Sequence, residues 1–543
     1  MAARDVLGVL SHVVDGRVPQ HHPQPRGEIG GGLAGAELPD RFEVPPVESF
    51  EYAQKDVVWS VRVITQAPDR LSCRDRQQDA TQLRSETRPR GRAFFDDRSK
   101  SRPQIFHATS LRRVVCSCVW IPLPVRSKRS PSADERRAAM ERLVAWARAN
   151  GAHWDGIEFR VEADGSARVV ATRELASGES ILTLPRRLMI IDNELDDTTT
   201  GTLAFGFEPR PRDVLAAWLS LEVNEPASPW RAYLDTLPVQ LELPMFRGAD
   251  ELDVLAGTAA HELAADMNRD VSATYDRLPP ALRDRVSLAD FAWGRAIVMS
   301  RAFLAPGSFE PRVALLPLVD ILNHRTNDTG WSYSPYDSNL VVRMERALEP
   351  GAEVHFSYGK RSNSHLLVHY GFTLPENTTN ESIVVFDQLP SSPISVRIAN
   401  VVDHRLARAL SLARLHACDP VERERILATL TKPTDIPVID PANEQAAFDL
   451  LATVARRARA ALDVHFPRRS DREWERTCAL VRDGERAILD QLVEFATSAR
   501  DLAGCTELAR LRSMADAISP HATGAARMLR HYAQDLADAL ASA

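Results

Sequence analysis

The sequence has no long apolar run, no signal-peptide pattern and few cysteines. A membrane-spanning helix needs about 20 consecutive apolar residues, whereas the most apolar segment, VVCSCVWIPLPV from Val114 to Val125, is shorter and interrupted by prolines. The six cysteines have no repeating spacing, which argues against a disulfide framework and favours reduced thiols. Cys116 and Cys118 are the only close pair, so the spacing predicts no zinc site. We therefore expect a cytoplasmic protein without a membrane anchor.

An excess of positive charge is also lacking. Lys and Arg number 67 against 74 Asp and Glu, which gives a formal net charge of -7. This balance argues against nucleic acid as an obligatory partner. Hydrophobic residues make up 44% and charged residues 26% of the chain, as in soluble globular proteins, and 543 residues exceed what one core usually organises. We predict two or three domains.

Two common catalytic patterns are missing as well. His365 and His369 stand at metal-ligand spacing on a predicted helix, but no Glu follows His365 and no third ligand is evident. We therefore expect these histidines to be structural or exposed, and no metal to bind. Ser357 lies in no G-x-S-x-G turn, which argues against nucleophilic hydrolysis.

The chain divides into an irregular N-terminal part and a patterned remainder. Residues 1–130 are rich in Arg, Pro, Gly and Gln and show no sustained period, so we predict a disordered extension; a start codon assigned too far upstream would give the same composition. Ordered structure is expected from Ser132, which forms a capping box with Glu135 at the start of a helix that Gly151 ends.

The order of strand-like and helical segments predicts an α+β fold. Two strand-like runs flank Ser177-Gly178 and are predicted to be antiparallel. The pattern is helical from Arg212 to about Leu304 and strand-like from Leu315 to Phe386. It then becomes helical to the end of the chain. We assign an α+β core to residues 131–390, a helical insertion to about 205–304 and an all-α domain to 391–543.

An Asn-His pair and a Tyr-Gly pair stand out in the second strand-like region. Asn323 and His324 both donate and accept hydrogen bonds, which suits a polar ligand, although such a pair can also cap a turn. Tyr358 ends a predicted strand, where Gly359 lets the backbone leave sharply. Its hydroxyl could face a pocket or lie in the core.

The start of the next helix follows directly. Ser362-Asn363 is predicted to open it, and it should end before Gly371.

Several segments together resemble a SET domain, the fold of one class of S-adenosylmethionine (AdoMet)-dependent protein methyltransferases. They are VVATRELASGESILTLPRRLMI, LLPLVDILNH and EPGAEVHFSYGKRSNSHLLVHYGF. The segments PWRAYLDTLP, AIVMSRAF and VRDGERAILDQL are similar to the group typified by the plant Rubisco large-subunit lysine methyltransferase. The resemblance runs from about Ser132 to Ala496. It implies a SET β-fold in which the Asn-His and Tyr segments are threaded into a pseudoknot. It also implies an α-helical C-terminal domain that docks a protein substrate.

The resemblance implies a cofactor site around this crossing, with Tyr358 as the catalytic residue. Arg301 would pair with the carboxylate of AdoMet. Asn323 and His324 would hold its amino-acid portion and adenine, and Tyr370 would pack against the adenine. The other implied cofactor contacts are Glu179, Ser180, Ile181, Asp320 and Tyr358. The family usually has Gly-x-Gly before the first Ala-Thr strand, whereas this chain has Ser166-Ala167-Arg168 preceded by Gly165.

The resemblance also bears on the acceptor. Phe303 and Val319 resemble the lysine-modifying branch, whereas the actin-histidine branch tends to have Asn and Trp at these places. We therefore predict an AdoMet-dependent protein-lysine N-methyltransferase that acts on a non-histone protein as a monomer. The alternatives are a protein-histidine N-methyltransferase of the same fold and a catalytically silent SET-like binding module. Aromatic residues predicted to lie in a loop would line the lysine channel or be exposed to solvent: Trp331, Tyr333 and Tyr336.

Overall fold

The computed structural model describes residues 120–195, 205, 207–305, 312–325, 329–334, 338–386, 394–399, 404–429, 436–463 and 473–542. Most of the predicted N-terminal extension, and Tyr336 of the predicted loop, therefore lie outside the described residues. Residues 120–130, also assigned to the extension, lie against the helical insertion. Trp120 Nε1 donates to the carbonyl of Arg247 at 2.9 Å, and Leu123 N donates to that of Met245 at 3.0 Å. The prediction that ordered structure begins only at Ser132 was wrong for this segment.

The first helix begins and ends where its local signals predict. Helix α1 spans Ala133–Ala149. Ser132 Oγ accepts from Glu135 N at 3.2 Å, and Glu135 Oε2 accepts from Ser132 N at 2.7 Å, which confirms the predicted capping box. Gly151 follows in the left-handed region with φ 80°, a conformation that glycine adopts without steric cost.

The strands of the described part of the chain form five small sheets. They are β1 (His153–Trp154), β2 (Ile157–Val161), β3 (Ala167–Ala171), β4 (Ser180–Pro185), β5 (Ile190–Ile191), β6 (Phe303–Leu304), β7 (Val313–Leu315), β8 (Asn323–His324), β9 (Thr329–Ser334), β10 (Asn339–Met344), β11 (His355–Phe356), β12 (Glu381–Phe386) and β13 (Ile394–Ala399). The strand orders are β1-β4-β10-β9, β5-β7-β6, β2-β3, β8-β11 and β12-β13.

The two strand-like runs around Ser177-Gly178 are β3 and β4, and they do not pair with each other. Strand β3 pairs with β2, and β4 pairs with β1 and β10, each antiparallel. The connecting turn bonds to the chain around β10 instead, because Leu175 N donates to Leu348 O and Gly178 N to Met344 O. Both runs are strands, as predicted, but the antiparallel pairing predicted between them is not observed.

The helical insertion is built mainly of α-helices, which come between β5 and β6 along the chain. Its helices are α2 (Pro211–Glu222), α3 (Arg231–Leu234), α4 (Ala249–Leu252), α5 (Ala259–Arg277), α6 (Pro280–Arg283) and α7 (Leu288–Arg301). Helices α2 and α7 approach so closely that a Cβ on Gly294 would lie 2.5 Å from the carbonyl oxygen of Ala216. Helix α7 ends at Arg301, so its position sets that of Arg301.

The C-terminal helices share one hydrophobic core with the β12–β13 hairpin. After α8 (Asn363–Tyr370), they are α9 (His404–Ala417), α10 (Pro420–Thr429), α11 (Pro441–Asp463), α12 (Glu473–Arg500), α13 (Leu508–Ala517) and α14 (Gly524–Ser542). Phe386 and Ile398 of the hairpin belong to the same buried cluster as Phe448 and Phe495 of the helices. The boundary predicted at residue 390 lies outside the described residues, and both β12 before it and β13 after it pack with the C-terminal helices.

Among the described residues, no helix is both long and apolar enough to cross a bilayer.

Candidate functional site

The Asn-His and Tyr segments meet as a pair of parallel strands. In the β8–β11 ladder, Asn323 lies opposite His355 and His324 opposite Phe356. Arg325 N continues the contact by donating to Phe356 O at 3.1 Å. Residues far apart in sequence are thereby held side by side, as the threaded arrangement requires.

Tyr358 is fixed at this crossing by both its main chain and its hydroxyl. Its N–H donates to His324 Nδ1 at 3.0 Å, and its hydroxyl donates to the carbonyl of Leu322 at 2.8 Å. Burial raises the pKa of the Tyr358 phenol, so the hydroxyl keeps its proton near neutral pH. The phenol can orient a partner and accept weak contacts on its oxygen, but it is a poor general base.

Aromatic rings surround Tyr358. The His324 ring stacks on the Tyr358 ring with centroids 5.0 Å apart. The Tyr370 ring is tilted against the Tyr358 ring with centroids 4.9 Å apart. Phe372 contacts the ring edge-on at 6.4 Å. Burial lowers the pKa of His324, and the nitrogen that accepts from Tyr358 N carries no proton, so the imidazole is neutral. The cluster is therefore apolar and uncharged.

Tyr370 reaches this cluster from the end of a well-capped helix. Ser362 Oγ accepts from His365 N at 3.3 Å at the start of α8, and Gly371 ends it with φ 83°. Both boundaries of α8 are those predicted from the sequence.

A buried polar group adjoins the crossing. Asp320 Oδ2 accepts from the Tyr233 hydroxyl at 2.8 Å and pairs with Arg301 Nη1 at 3.2 Å, and Arg301 Nη1 also donates to the Asp320 carbonyl at 3.0 Å. Asp320 Oδ1 is buried and has no hydrogen-bond partner. Burial raises the pKa of Asp320, which the charge of Arg301 opposes. A buried acceptor left open in this way is costly unless a ligand or water fills it.

The turn that carries Asp320 is strained. Leu318, directly before it, has φ 73° and is fully buried. A non-glycine residue in the left-handed region costs about 1 kcal/mol or more, and the surrounding packing holds it there.

A cavity of about 110 Å³ opens beside Arg301. One wall is the turn before β3, with Gly165, Ser166 and Ala167. Asn323 joins this wall to the crossing, because its Nδ2 donates to Ala167 O at 3.1 Å. The remaining lining residues are Pro131, Arg136, Met140, Val161, Asp235, Thr236, Leu237 and Pro238.

The turn at this wall replaces the family's Gly-x-Gly without strain at Ser166. Gly165 has φ 82°, so the one left-handed position is a glycine. Its carbonyl accepts from Arg136 Nη1 at 3.3 Å. Ser166 N donates to Asp164 Oδ1 at 2.8 Å, which closes the turn.

Three residues suggested as cofactor contacts lie elsewhere. Glu179 pairs with Arg173 at 2.6 Å, Ser180 Oγ accepts from Arg343, and Ile181 is buried in the β4 strand. None of the three lines the cavity described above. Gly165, Ser166 and Ala167 line it instead.

The residues suggested for the acceptor channel fall into two groups. Phe303 is half-buried and packs edge-to-face on Phe356 with centroids 5.5 Å apart, whereas Val319 is buried in the core. Trp331 and Tyr333 are part of β9, opposite Val342 and Leu340 of β10. The prediction that these two aromatic residues lie in a loop was wrong.

The histidine pair of α8 is structural in the geometry observed. The rings of His365 and His369 stack with centroids 3.8 Å apart, and burial lowers the pKa of His369 to about 3. The described residues contain no group of three side chains placed to hold a metal ion.

Sequence reasoning missed Tyr233 and Phe372. Tyr233 lies in the quoted segment PWRAYLDTLP, but nothing in the sequence links it to Asp320. Phe372 follows Gly371 in the quoted YGF, where its aromatic character was the available signal.

Proteins similar to this chain are known both by sequence and by structure. No family model matches the chain. Over 327 residues the chain is 26% identical to the actin-histidine N-methyltransferase of Drosophila melanogaster, a match that covers 54% of this chain and 60% of the fly protein. It is 26% identical over 309 residues to the actin-histidine N-methyltransferase of Homo sapiens, covering 53% of this chain and 51% of the human protein. The chain thus spans little more than half the length of these curated relatives.

Solved structures extend the likeness over more of the chain. The SET domain of LSMT bound to MeLysine and AdoHcy superposes with a TM-score of 0.55 at 19% identity, covering 69% of this chain and 96% of that domain. Rubisco LSMT bound to AdoMet gives a TM-score of 0.54 at 18% identity, covering 67% of this chain and 92% of that one. With the crossed strands and the helical insertion, these matches mean that the chain has an α+β SET-domain fold of the Rubisco LSMT type.

Proposed function

We propose that this chain is an AdoMet-dependent protein N-methyltransferase that acts on a non-histone protein. The observation that carries the proposal is the Tyr358 hydroxyl, held on the Leu322 carbonyl at 2.8 Å beside the parallel β8–β11 pair. The Arg301–Asp320 pair adjoins this point and Arg301 opens onto the cavity. Relatives named as protein methyltransferases and the LSMT-type fold support the same function.

The residues around the cavity suit the polar end of AdoMet. The Arg301 guanidinium offers donors in a planar fork for the carboxylate, and the unpartnered Asp320 Oδ1 offers an acceptor for the amino group. Main-chain groups of residues 165–167 and the Asn323 side chain complete this part of the proposed site. His324 and Tyr370 provide aromatic faces for the adenine. We assign these contacts in place of Glu179, Ser180 and Ile181.

When bound, AdoMet supplies an electrophilic methyl carbon attached to a positively charged sulfur. The rigidly held Tyr358 oxygen can accept weak C–H contacts from that methyl group, each worth about 0.5–1 kcal/mol. Because burial raises the pKa of Tyr358, its contribution is alignment rather than proton removal.

An amine acceptor must lose a proton before it attacks. A free lysine has a pKa near 10.4, which corresponds to about 4 kcal/mol at neutral pH. The uncharged aromatic surroundings of Tyr358, including His324 and Tyr370, lower that pKa by desolvation, and the cationic cofactor lowers it by repulsion.

Lysine is the acceptor we propose. The half-buried ring of Phe303 packs on the buried ring of Phe356 in β11, and this apolar surface suits an aliphatic lysine stem. Histidine is the second candidate, because the relatives named above are actin-histidine N-methyltransferases.

We also propose that the protein works as a monomer in the cytoplasm. Light scattering after size-exclusion chromatography measures the molar mass and so tests whether it is a monomer.

The function is tested by methyl transfer from isotopically labelled AdoMet to proteins in a cell lysate. We expect labelled protein bands with the full chain, and mass spectrometry of those bands identifies the acceptor side chain. Methylated histidine would replace the lysine assignment with the second candidate. If calorimetry detects no AdoMet binding at millimolar concentrations, a silent SET-like binding module becomes the better account.

A further inference from the structure

The segment VRDGERAILDQL of α12 has no place in the chemistry described above, yet its first residues sit at the junction of several elements. Glu485 is buried, and one oxygen accepts from Ala259 N at 2.8 Å, at the N-terminus of α5. Its Oε1 also bonds to Ser364 Oγ at 2.7 Å, and its Oε2 bonds to Ser382 Oγ at 3.1 Å. One side chain of the C-terminal helices thus joins α5, α8 and β12.

Neighbouring residues of the same segment strengthen this junction. Arg482 Nη1 donates to the carbonyls of Val254 at 2.8 Å and Ala256 at 3.2 Å. Gly484 lies against Asn380, so that a Cβ there would come within 2.2 Å of Asn380 Nδ2. Arg482 and Glu485, three residues apart, lie on one face of α12, and Gly484 beside Glu485 allows the close approach to Asn380.

The start of α8 is bound to the C-terminal domain at three consecutive residues. Ser362 Oγ bonds to Glu381 of β12 at 3.3 Å, and Asn363 N donates to Asn380 Oδ1 at 2.9 Å. Ser364 bonds to Glu485 as described. Strand β12 shares the core of the C-terminal helices through Val384 and Phe386, so these contacts anchor α8 to that domain.

The other end of α8 carries Tyr370. Its ring lies 4.9 Å from that of Tyr358. Helix α8 is a short rod of Asn363–Tyr370, and a short helix transmits a displacement of its first turn to its last because its hydrogen bonds keep it rigid. An anchor at Ser364 therefore influences where Tyr370 sits.

We propose that Glu485 is a positioning residue: through Ser364 it holds α8 so that Tyr370 packs against Tyr358 and completes the adenine side of the cofactor site. This inference rests on the proposed function for its consequence, AdoMet affinity, but the ordering of α8 is independent of it. The C-terminal domain thereby contributes to the proposed cofactor site.

Two serines provide a matched pair for the test. Ser364→Ala and Ser382→Ala each remove one buried hydroxyl from Glu485, but only Ser364 lies on the helix that carries Tyr370. In the full-length protein we expect Ser364→Ala to raise the dissociation constant of AdoMet at least threefold by calorimetry. Hydrogen exchange at residues 366–371 should become faster. We expect Ser382→Ala to leave both quantities unchanged while lowering the melting temperature by a similar amount.

Substitutions of the carboxyl itself complete the comparison. Glu485→Ala should reproduce the effect of Ser364→Ala, and Glu485→Gln should restore both quantities, because its amide oxygen still accepts from Ala259 N and Ser364. If Ser382→Ala changes AdoMet affinity and exchange as much as Ser364→Ala does, or if Ser364→Ala changes neither, the inference is wrong. A wild-type protein that binds no AdoMet would contradict the proposed function, whereas the exchange comparison would still decide whether Glu485 orders α8.

Discussion

Tyr233 lies in the helical insertion, and its side chain reaches the buried carboxylate of Asp320 at the candidate site. Its hydroxyl donates to Asp320 Oδ2 at 2.8 Å, and burial raises the pKa of Tyr233 so that it remains a donor. Asp320 in turn pairs with Arg301. A hydroxyl outside the cavity lining thus sets the direction in which the guanidinium faces the cavity.

We predict that Tyr233→Phe weakens both folding and AdoMet binding. A buried carboxylate that loses one donor costs about 1–3 kcal/mol, and a looser Asp320 leaves Arg301 less well oriented. Chemical denaturation measures the first effect and calorimetry the second, where we expect a severalfold rise in the dissociation constant.

Tyr275→Phe is the matched control for this substitution. The Tyr275 hydroxyl also lies in the insertion and donates to the Val286 carbonyl at 3.0 Å. Its removal should lower stability without changing AdoMet affinity. Equal weakening of AdoMet binding by the two substitutions would mean that Tyr233 acts only through global stability.

At the scale of single elements, the sequence predicted where helices α1 and α8 begin and end, but it did not predict which strands pair. The caps of α1 and α8 were predictable because Ser132, Ser362 and Gly371 act on the backbone within a few residues. The partner of β4 was not predictable, because it depends on where the distant β10 lies; β3 pairs with its sequence neighbour β2, a strand that was not predicted from the sequence. The resemblance suggested Glu179, Ser180 and Ile181, at the start of β4, whereas the cavity beside Arg301 is lined by the turn before β3.

The parallel β8–β11 pair was expected only through the family resemblance. Each strand has two residues, too few for any periodic pattern. The Tyr233–Asp320 bond was not expected at all, because the two residues lie 87 positions apart and neither carries a local signal for the contact.

Gly484 provides a test of how closely α12 approaches the segment before β12. We predict that Gly484→Ala pushes Asn380 away, because the added Cβ would lie 2.2 Å from Asn380 Nδ2 and 2.8 Å from its Cγ. Asn380 would then lose its bond to Asn363 N, and we expect a loss of about 1–3 kcal/mol in the free energy of unfolding. Urea denaturation gives the value. A stability equal to that of the wild type would show that Asn380 can rotate without cost.

At the scale of the whole molecule, the SET core, the insertion and the C-terminal domain share the buried carboxyl of Glu485. Burial raises the pKa of this carboxyl to about 8, against which hydrogen bonds from Ser364 and Ala259 act; the like charge of Glu381 adds to the rise. In the unfolded chain a glutamate has a pKa near 4.3. The folded state therefore binds the proton more tightly than the unfolded state between these two values.

The sign of the resulting pH dependence follows from linkage. The contribution of Glu485 to stability is fully present below its unfolded pKa and is lost as the pH rises toward about 8. We predict that Glu485→Gln, which cannot ionise, gains stability relative to the wild type as the pH rises from 5 to 8.5, by on the order of a few kcal/mol. Denaturant unfolding of both proteins at several pH values checks this, and parallel curves across the range would refute it.

Tyr358 is proposed to align a methyl group beside the parallel β8–β11 pair, and Tyr358→Phe tests this role most directly. The measurement is the rate of methyl transfer from labelled AdoMet by the wild type and by Tyr358→Phe, at AdoMet concentrations that saturate both. Loss of the hydroxyl bonded to Leu322 should slow transfer by about 10-fold or more, equivalent to at least 1.4 kcal/mol of lost transition-state alignment, with AdoMet affinity changed by less than threefold. Equal transfer rates for the two proteins would contradict the account.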